Sequence, residues 1–365
     1  MNRGPVAEIN LAALQHNLEI VKRIVEKRHI IAVVKADAYG HGSVEVSRRL
    51  IQGGVSYLAV AYTEEAKVIR ESGIDAKVIV LFDRSDIPDF FKYDLMPVIH
   101  DIRTASEFSK EAVRSGKKIH VHLKIDTGMG RVGINPGRAV SEAVEISDME
   151  GIELEGILSH FSEADLSDRT YAVRQLEIFN KTRKGISEKL GRPVISHMAN
   201  SAAVLSLKEA LFDAVRPGLM LYGYSPFSES YGLTPLMKIK TKILVIRNLP
   251  SGHPVSYGRT FVTKRESRVA VIPVGYADGY NRLFSNNSEV LVRGVRVPVV
   301  GRVCMDLTMA DVTGVDGVTD GDEVVLLGQQ GGEMISAHEL SSRINTIPYE
   351  IITSLGSRSR KEYIN

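Results

Sequence analysis

An α/β fold, an N-terminal (β/α)8 TIM-type barrel followed by a mostly β C-terminal domain, is predicted for this chain on three observations. Eight short apolar runs alternate with amphipathic stretches between residues 31 and 223. Residues 224–235, with Pro226, Gly232, Pro235 and several serines, then read as a linker. Beyond it the runs are short and closely spaced, with Gly and Asp turns between them, which is the texture of a β-rich domain. The expected domains are therefore 1–234 and 235–365, and 365 residues suffice for two at ~100 to 200 residues each. An open doubly wound sheet is the alternative. It would want a glycine fingerprint after an early strand, and Gly40-His41-Gly42 matches one poorly.

The first element, Ile31-Ala32-Val33-Val34, is continuously apolar and reads as a buried strand that ends in Lys35 before Gly40 and Gly42 break the chain. A helical pattern near 43–53, a strand at 57–61, a helix near 63–72 and a strand at 77–82 come next. Strands at 96–100, 120–126 and 154–160 precede helices near 104–115, 137–147 and 168–190. Val194 to His197 leads through Asn200-Ser201 into a helix near 201–209, and Ala214 to Gly223 is the eighth strand. In the second domain, strands are expected at 241–246, 268–273, 289–292, 295–300 and 323–327.

Composition limits the partners. With 44% hydrophobic and 25% charged residues the chain can bury a large core as an ordinary globular protein. Lys and Arg number 46 against 44 Asp and Glu, so there is no basic field for nucleic acid or a membrane surface. A small molecule is the expected partner. The single cysteine, Cys304, cannot form an internal disulfide, which fits a reducing compartment. Met1 to Glu8 lacks the apolar core of a signal peptide and no run of ~18 apolar residues occurs, so a cytoplasmic location is expected.

If the barrel forms, the polar residues at its strand ends converge on one mouth. They are Lys35, Arg131, His160, Asn200, Ser201 and Arg216. A buried ammonium without a partner costs several kcal/mol, so Lys35 is either paired, with Asp37 the nearest acid, or uncharged and nucleophilic. Nucleophilic lysines form Schiff bases with carbonyl compounds, including pyridoxal phosphate, and Tyr39 four residues on could reach a phosphate. Arg131, in a glycine-rich loop, suits a carboxylate clamp or pairs with Asp126. His160 is a core histidine or a site residue. Asn200-Ser201 caps a helix, and such a cap also binds phosphate. Arg216 lies in a buried strand and needs acceptors there, for which a pyridine nitrogen would serve. No metal-ligand cluster stands out.

The run Ala32-Val33-Val34-Lys35-Ala36-Asp37-Ala38-Tyr39-Gly40-His41-Gly42 resembles the cofactor-attachment signature of bacterial alanine racemases. The resemblance covers essentially the whole chain. It continues through Glu8 to Leu11, His16 to Leu18, the loop ending at Arg131, Ser159 to Phe161, His197 to Ala203 and Arg216 to Gly223. In the second domain it takes in Val255 to Gly258, Gly275 to Gly279, Gly301 to Asp306 and Thr346 to Glu350.

The resemblance implies a PLP-dependent isomerase, an amino-acid racemase that interconverts L- and D-alanine and supplies D-alanine for peptidoglycan. By the same likeness Lys35 would hold pyridoxal 5'-phosphate and serve as base on one face of Cα. Tyr257 would be the base on the other face, assisted by His160 and Arg216. Arg131 and the Met305 backbone would hold the substrate carboxylate. Tyr39, Ser201, Gly218, Leu219 and Tyr349 would hold the phosphate, with Asn200 beside them. Tyr276, Arg282 and Arg302 would narrow the entrance, and Lys124 matches a position where many relatives carry a carbamylated lysine. The family's homodimer shares its active sites between subunits, through Tyr257 and Met305.

Three alternatives stay open. Another small amino acid such as serine would use the same residues. A non-catalytic PLP carrier resembles only the first domain, and residues 236–365 argue against it. A barrel decarboxylase sets a carboxylate at the pyridine nitrogen, where this chain presents Arg216.

Overall fold

The computed structural model describes residues 4–365. The chain forms two compact units: one of Leu14–Ala36 with Ser43–Thr234, the other of Asp37–Gly42, Pro235–Asn365 and the described residues through Ala13. The stretch read for a leader peptide begins at Met1, and residues 1–3 lie outside the described residues.

The chain starts with β1 (Val6–Asn10) and α1 (Leu11–Val25), and β2 (His29–Val33) opens a barrel. A short turn, α2 (Lys35–Tyr39), and α3 (Ser43–Gln52) lead to β3 (Tyr57–Val60), α4 (Thr63–Glu71) and β4 (Lys77–Val80). After α5 (Ile87–Lys92) come β5 (Leu95–Ile99), α6 (Ile102–Ser115), β6 (Ile119–Lys124), α7 (Pro136–Ser147) and β7 (Ile152–Leu158). Then α8 (Thr170–Leu190), β8 (Ile195–His197), α9 (Ser201–Ser206) and β9 (Ala214–Val215) complete the series. Strands β2 to β9 are parallel and close on one another, with His29 opposite Ala214 and Ile30 opposite Val215 at the seam.

The local signals are ordinary ones. Asp101 accepts the Thr104 N–H to cap α6, Pro136 follows the cap Asn135 at the start of α7, and left-handed Gly116 and Gly191 end α6 and α8. The expected helix near 201–209 is divided into α9 and a separate 3-10 turn, Lys208–Ala210. The expected eighth strand is only two residues long, and a 3-10 turn, Leu219–Tyr222, follows it. Near the strand starts, Glu155 accepts from Tyr57 at 3.0 Å and pairs with Lys77 at 2.9 Å and His120 at 3.1 Å. In this fold, that end serves stability.

The other unit is mostly β. Strands β10 (Met237–Lys242) and β11 (Val245–Leu249) occupy the region expected as one strand at 241–246. The chain breaks at Ile243-Leu244 because β10 and β11 serve different sheets. β12 (Pro254–Val255), β13 (Phe261–Val262), β14 (Ser267–Ile272), β15 (Glu289–Val292) and β16 (Val295–Pro298) follow. β17 (Thr308–Asp311), β18 (Glu323–Gln330), β19 (Glu333–Ile335), α10 (Ala337–Arg343), α11 (Pro348–Arg358) and β20 (Arg360–Ile364) complete the chain. The large sheet runs β16-β15-β18-β10-β1-β20, with β19 paired to β18, while β11-β14-β17 form a second sheet. The N-terminal strand therefore lies between β10, antiparallel, and β20, parallel, and Glu8 pairs with Lys240.

Candidate active site

Lys35 follows Val34, which is fully buried and extends the β2 backbone by donating to the Ala59 carbonyl. What comes next is unusual. Ala36, Asp37, Ala38 and Tyr39 have φ of +52°, +53°, +53° and +54°, a left-handed helical turn built without glycine. For L-residues that conformation costs roughly 1 kcal/mol or more at each position. Glu65 secures the start of the turn: its carboxylate accepts the Ala36 N–H at 2.6 Å, and also those of Ala61 at 2.6 Å and Tyr62 at 3.3 Å. Tyr222 donates its hydroxyl to the Val33 carbonyl at 2.8 Å, just ahead of the turn.

Lys35 is half-buried and makes no ion pair among the described residues. The pairing with Asp37 does not form, because Asp37 pairs with Lys361 at 2.9 Å. Burial, and then the Arg131 charge, lower the Lys35 pKa, while Glu65 opposes the shift. The Lys35 Nζ lies 5.8 Å from the centre of the Phe82 ring, and Arg131 Cζ lies 5.2 Å from the same centre. Phe82 thus brings the lysine and the arginine together through cation–π contact. It carried no sequence signal beyond ending an apolar run.

Arg131 is exposed at the end of a loop that is tied down behind it. Asp126 does not pair with it. Its carboxylate instead accepts the Gly128 N–H at 3.0 Å and the Gly130 N–H at 3.1 Å. Lys124, at the end of β6, is buried, and burial followed by the Arg216 and Arg131 charges holds its amine well below the ordinary lysine value.

Arg216 is buried and anchors the adjoining strand ends. It donates to the Ser159 carbonyl at 2.6 Å, to the His197 carbonyl at 2.8 Å and to the Met198 carbonyl at 3.2 Å. It also meets His197 Nδ1 at 2.8 Å and His160 Nδ1 at 3.4 Å. His197 Nε2 in turn lies 2.8 Å from His122 Nδ1. His160 and His197 are both held well below the ordinary histidine value, by burial first and then by the Arg216 charge. Burial lowers the guanidinium itself to about 9, so it stays charged at neutral pH. Its Nε–H has no acceptor among the described residues.

Below Arg216 the Ser201 hydroxyl accepts the N–H groups of Gly218 at 3.0 Å and Met220 at 3.3 Å, and Asn200 accepts that of Ala203 at 3.0 Å. The N–H groups of Ser201, Ala202 and Leu219 belong to buried residues and have no acceptor among the described residues. Three buried donors left over in one place suit a phosphate, and a free guanidinium Nε–H suits a ring nitrogen. The residues of the barrel unit thus fit pyridoxal phosphate. Among the described residues no group of three or more His, Cys, Asp or Glu could hold a metal ion.

The remaining expected site residues lie in the other unit. Tyr39 is buried with its ring centre 5.6 Å from that of Tyr349. Tyr257 is 69% exposed and Met305 is 54% exposed, so neither is a core residue. Tyr257 is presented by a strained neighbour: Ser256 has φ +64° and donates its hydroxyl to the Arg302 carbonyl at 2.6 Å. The Gly275 loop clasps the Met305 segment through Tyr276 N–H to Cys304 O and Ala277 N–H to Met305 O, both 3.0 Å. A Cβ at Gly275 would lie 2.3 Å from both carbonyls, so only glycine fits. The Met305 N–H itself has no acceptor among the described residues. Arg282 starts a 3-10 turn whose Ser285 hydroxyl accepts the Val303 N–H at 3.0 Å, which ties it to the same segment. Tyr257, Cys304, Met305 and Leu307 line a groove of about 640 Å³.

Residues 9–226 match the model of the alanine racemase N-terminal domain, and residues 236–363 match that of the alanine racemase C-terminal domain. An alanine racemase of Thermodesulfovibrio yellowstonii is 51% identical over 370 residues, covering 100% of this chain and 99% of that protein. The alanine racemase structure from the D-cycloserine-producing Streptomyces lavendulae superimposes with a TM-score of 0.94 at 33% identity, covering 100% of this chain and 98% of that one. That of the Bartonella henselae enzyme, with covalently bound pyridoxal phosphate, gives 0.88 at 29% identity and covers 99% of both chains.

Proposed function

The chain belongs to the alanine racemase family, and from that premise we propose that it interconverts L- and D-alanine with pyridoxal 5'-phosphate held by Lys35. It is an enzyme, an isomerase of the amino-acid racemase class. The observation that most supports the cofactor is the set of buried N–H groups at Ser201, Ala202 and Leu219 together with the Arg216 Nε–H, all without acceptors among the described residues.

When bound, pyridoxal phosphate draws electrons from the substrate Cα and so makes its proton removable. Lys35 is the residue that would hold it covalently, Tyr39, Ser201, Gly218, Leu219 and Tyr349 would hold its phosphate, and Asn200 would be a further cofactor-binding residue. Arg131 would bind the substrate carboxylate, beside Lys35 on Phe82. The acceptor-free Met305 N–H would add a second donor to that carboxylate. Lys35, once its amine is released, would take or give the proton at one face of Cα.

Racemisation needs a second base, because a proton lost from one face must be replaced from the other. Tyr257 would supply it, with His160 and Arg216 as the groups behind it. The exposure of Tyr257 and Met305 agrees with a homodimer in which each reaches the other subunit's barrel. Arg216, charged at neutral pH, would offer the ring nitrogen a hydrogen bond without giving up its proton. That limits how far charge is drawn away from Cα and favours return of the proton there.

Burial and the neighbouring Arg216 and Arg131 charges disfavour the ammonium form of Lys124, and the neutral amine is the form that adds carbon dioxide. The resulting carbamate would set a negative charge beside Arg131 and Arg216. Tyr276, Arg282 and Arg302 would narrow the entrance and favour small amino acids. The D-alanine made would serve peptidoglycan. Among the described residues no helix is long and apolar enough to cross a membrane.

The test is a chiral assay of the purified protein with pyridoxal phosphate, offering L-alanine, D-alanine and L-serine separately. Both alanine enantiomers should approach an equal mixture, faster than serine does. Conversion of serine alone would replace the proposed substrate, and conversion of neither would end the proposal.

A further inference from the structure

Gln175 stands on α8, outside every block that the family resemblance singles out, yet its side-chain amide is fully buried and uses both ends. Its Oε1 accepts the Ser162 N–H at 3.0 Å and the Ser162 hydroxyl at 3.1 Å. Its Nε2 donates to the His160 carbonyl at 3.2 Å and to Thr127 Oγ1 at 3.4 Å. A backbone N–H at one end and a backbone carbonyl at the other leave no ambiguity about which end is oxygen. Thr127 Oγ1 in turn meets the Ser159 hydroxyl at 2.8 Å. One amide therefore holds the His160 carbonyl and Ser162 directly, and through Thr127 it ties this segment to the loop that carries Arg131.

Tyr171, four residues earlier on α8, lies on the same face. Its hydroxyl donates to the Gly128 carbonyl at 3.0 Å. Gly128 has φ +133°, a conformation that side chains rarely adopt, and a Cβ there would lie 2.3 Å from that hydroxyl and push Tyr171 aside. Asp126 holds the Gly128 and Gly130 N–H groups from the other side. The loop is thus gripped at three places before it reaches Arg131.

We infer that Gln175 is a positioning residue that sets His160 and Arg131 relative to each other, with Tyr171 holding the Arg131 loop alone. The inference rests on the proposed roles of those two residues. Displacing Arg131 weakens binding of the substrate carboxylate and raises KM, whereas displacing His160 acts on proton transfer and lowers kcat. Tyr171 touches only the first of these, and Gln175 touches both.

Steady-state kinetics of the cofactor-saturated enzyme, with alanine in both directions, separates the two effects. Tyr171→Phe should raise KM about fivefold with kcat within about twofold of the parent, and Gln175→Leu should cut kcat/KM by about 100-fold through both constants, the scale of a misplacement near 1 Å. The cofactor content of each variant should equal the parent's, which a general loss of fold would not allow. If Gln175→Leu does not fold, Thr127→Val decides instead, since it removes the hydroxyl shared by Ser159 and Gln175 and should move both constants. Gln175→Leu within twofold of the parent, or Thr127→Val and Tyr171→Phe with both constants unchanged, overturns the inference. An inactive parent would instead remove the proposed function itself.

Discussion

The pKa values of Lys35 and Lys124 are both lowered by burial, yet their surroundings differ. Lys35 is half-buried, faces Phe82 and has Glu65 moderating its shift, while Lys124 is fully buried between two arginine charges. Tyr257 is the opposite case, an exposed side chain on a strained segment that is of no use to its own unit's core. Its proposed role makes a directional prediction. Tyr257→Phe removes only the hydroxyl, so solvent deuterium entry should fall by about 100-fold or more for one enantiomer of alanine, with smaller loss for the other. Equal losses from L- and D-alanine in single turnovers would assign the second base elsewhere. Of the candidate site residues, Arg216 stood out on physical grounds, since a guanidinium in a buried strand needs acceptors, whereas Lys35 alone reads equally as an ion-paired strand end and took its weight from the resemblance. Phe82, Gln175 and His122 were not, because an aromatic just past a strand end, an amide on a helix and a histidine in a strand look like ordinary packing until their partners from other elements are known.

At the scale of elements, the left-handed turn after β2 is the costliest local feature of the site. Of its residues, Ala36 to Tyr39, only Asp37 is of a type that visits φ near +53° with any frequency, so little in their identity announces the conformation. Contacts from elsewhere in the chain hold it, and Glu65 is the hold at its start. Glu65→Ala leaves three backbone N–H groups without their carboxylate. The variant should lose about 2 kcal/mol of stability in urea denaturation. It should also take up pyridoxal phosphate more slowly. Stability and uptake equal to the parent's would mean that the turn is held without Glu65. The N-terminal strand was hidden for a related reason: five residues that pair with β10 and β20, both more than 200 residues away, carry too short a pattern to reveal their sheet. Strands β2 to β5, by contrast, are largely buried and read as near-continuous apolar runs, while β6 and β7 interleave His and Glu and were legible from their place in the alternation with helices.

At the scale of the whole molecule, burial disfavours the charged form of four histidines of the barrel unit. Burial lowers His122 and His100 to about 4, and holds His160 and His197 well below the ordinary value. With a folded pKa below the unfolded one, near ~6.5, the unfolded chain binds more protons between the two values, so stability rises with pH there. The contribution is complete above pH ~6.5 and is lost as pH falls toward about 4, roughly 3 kcal/mol for His122 alone. Urea midpoints taken from pH 7 down to pH 4.5 should therefore decline steadily, and His122→Gln should make the decline shallower. A flat profile in the parent would show that these histidines are already charged in the folded state.

The central claim, that Lys35 carries the cofactor, is tested most directly by borohydride reduction of the pyridoxal-phosphate-loaded protein followed by peptide mapping. The pyridoxyl group should appear on the peptide containing Lys35, in one-to-one stoichiometry, and should be absent from Lys35→Ala. A pyridoxyl group on Lys124 or any other lysine of the parent would contradict the account.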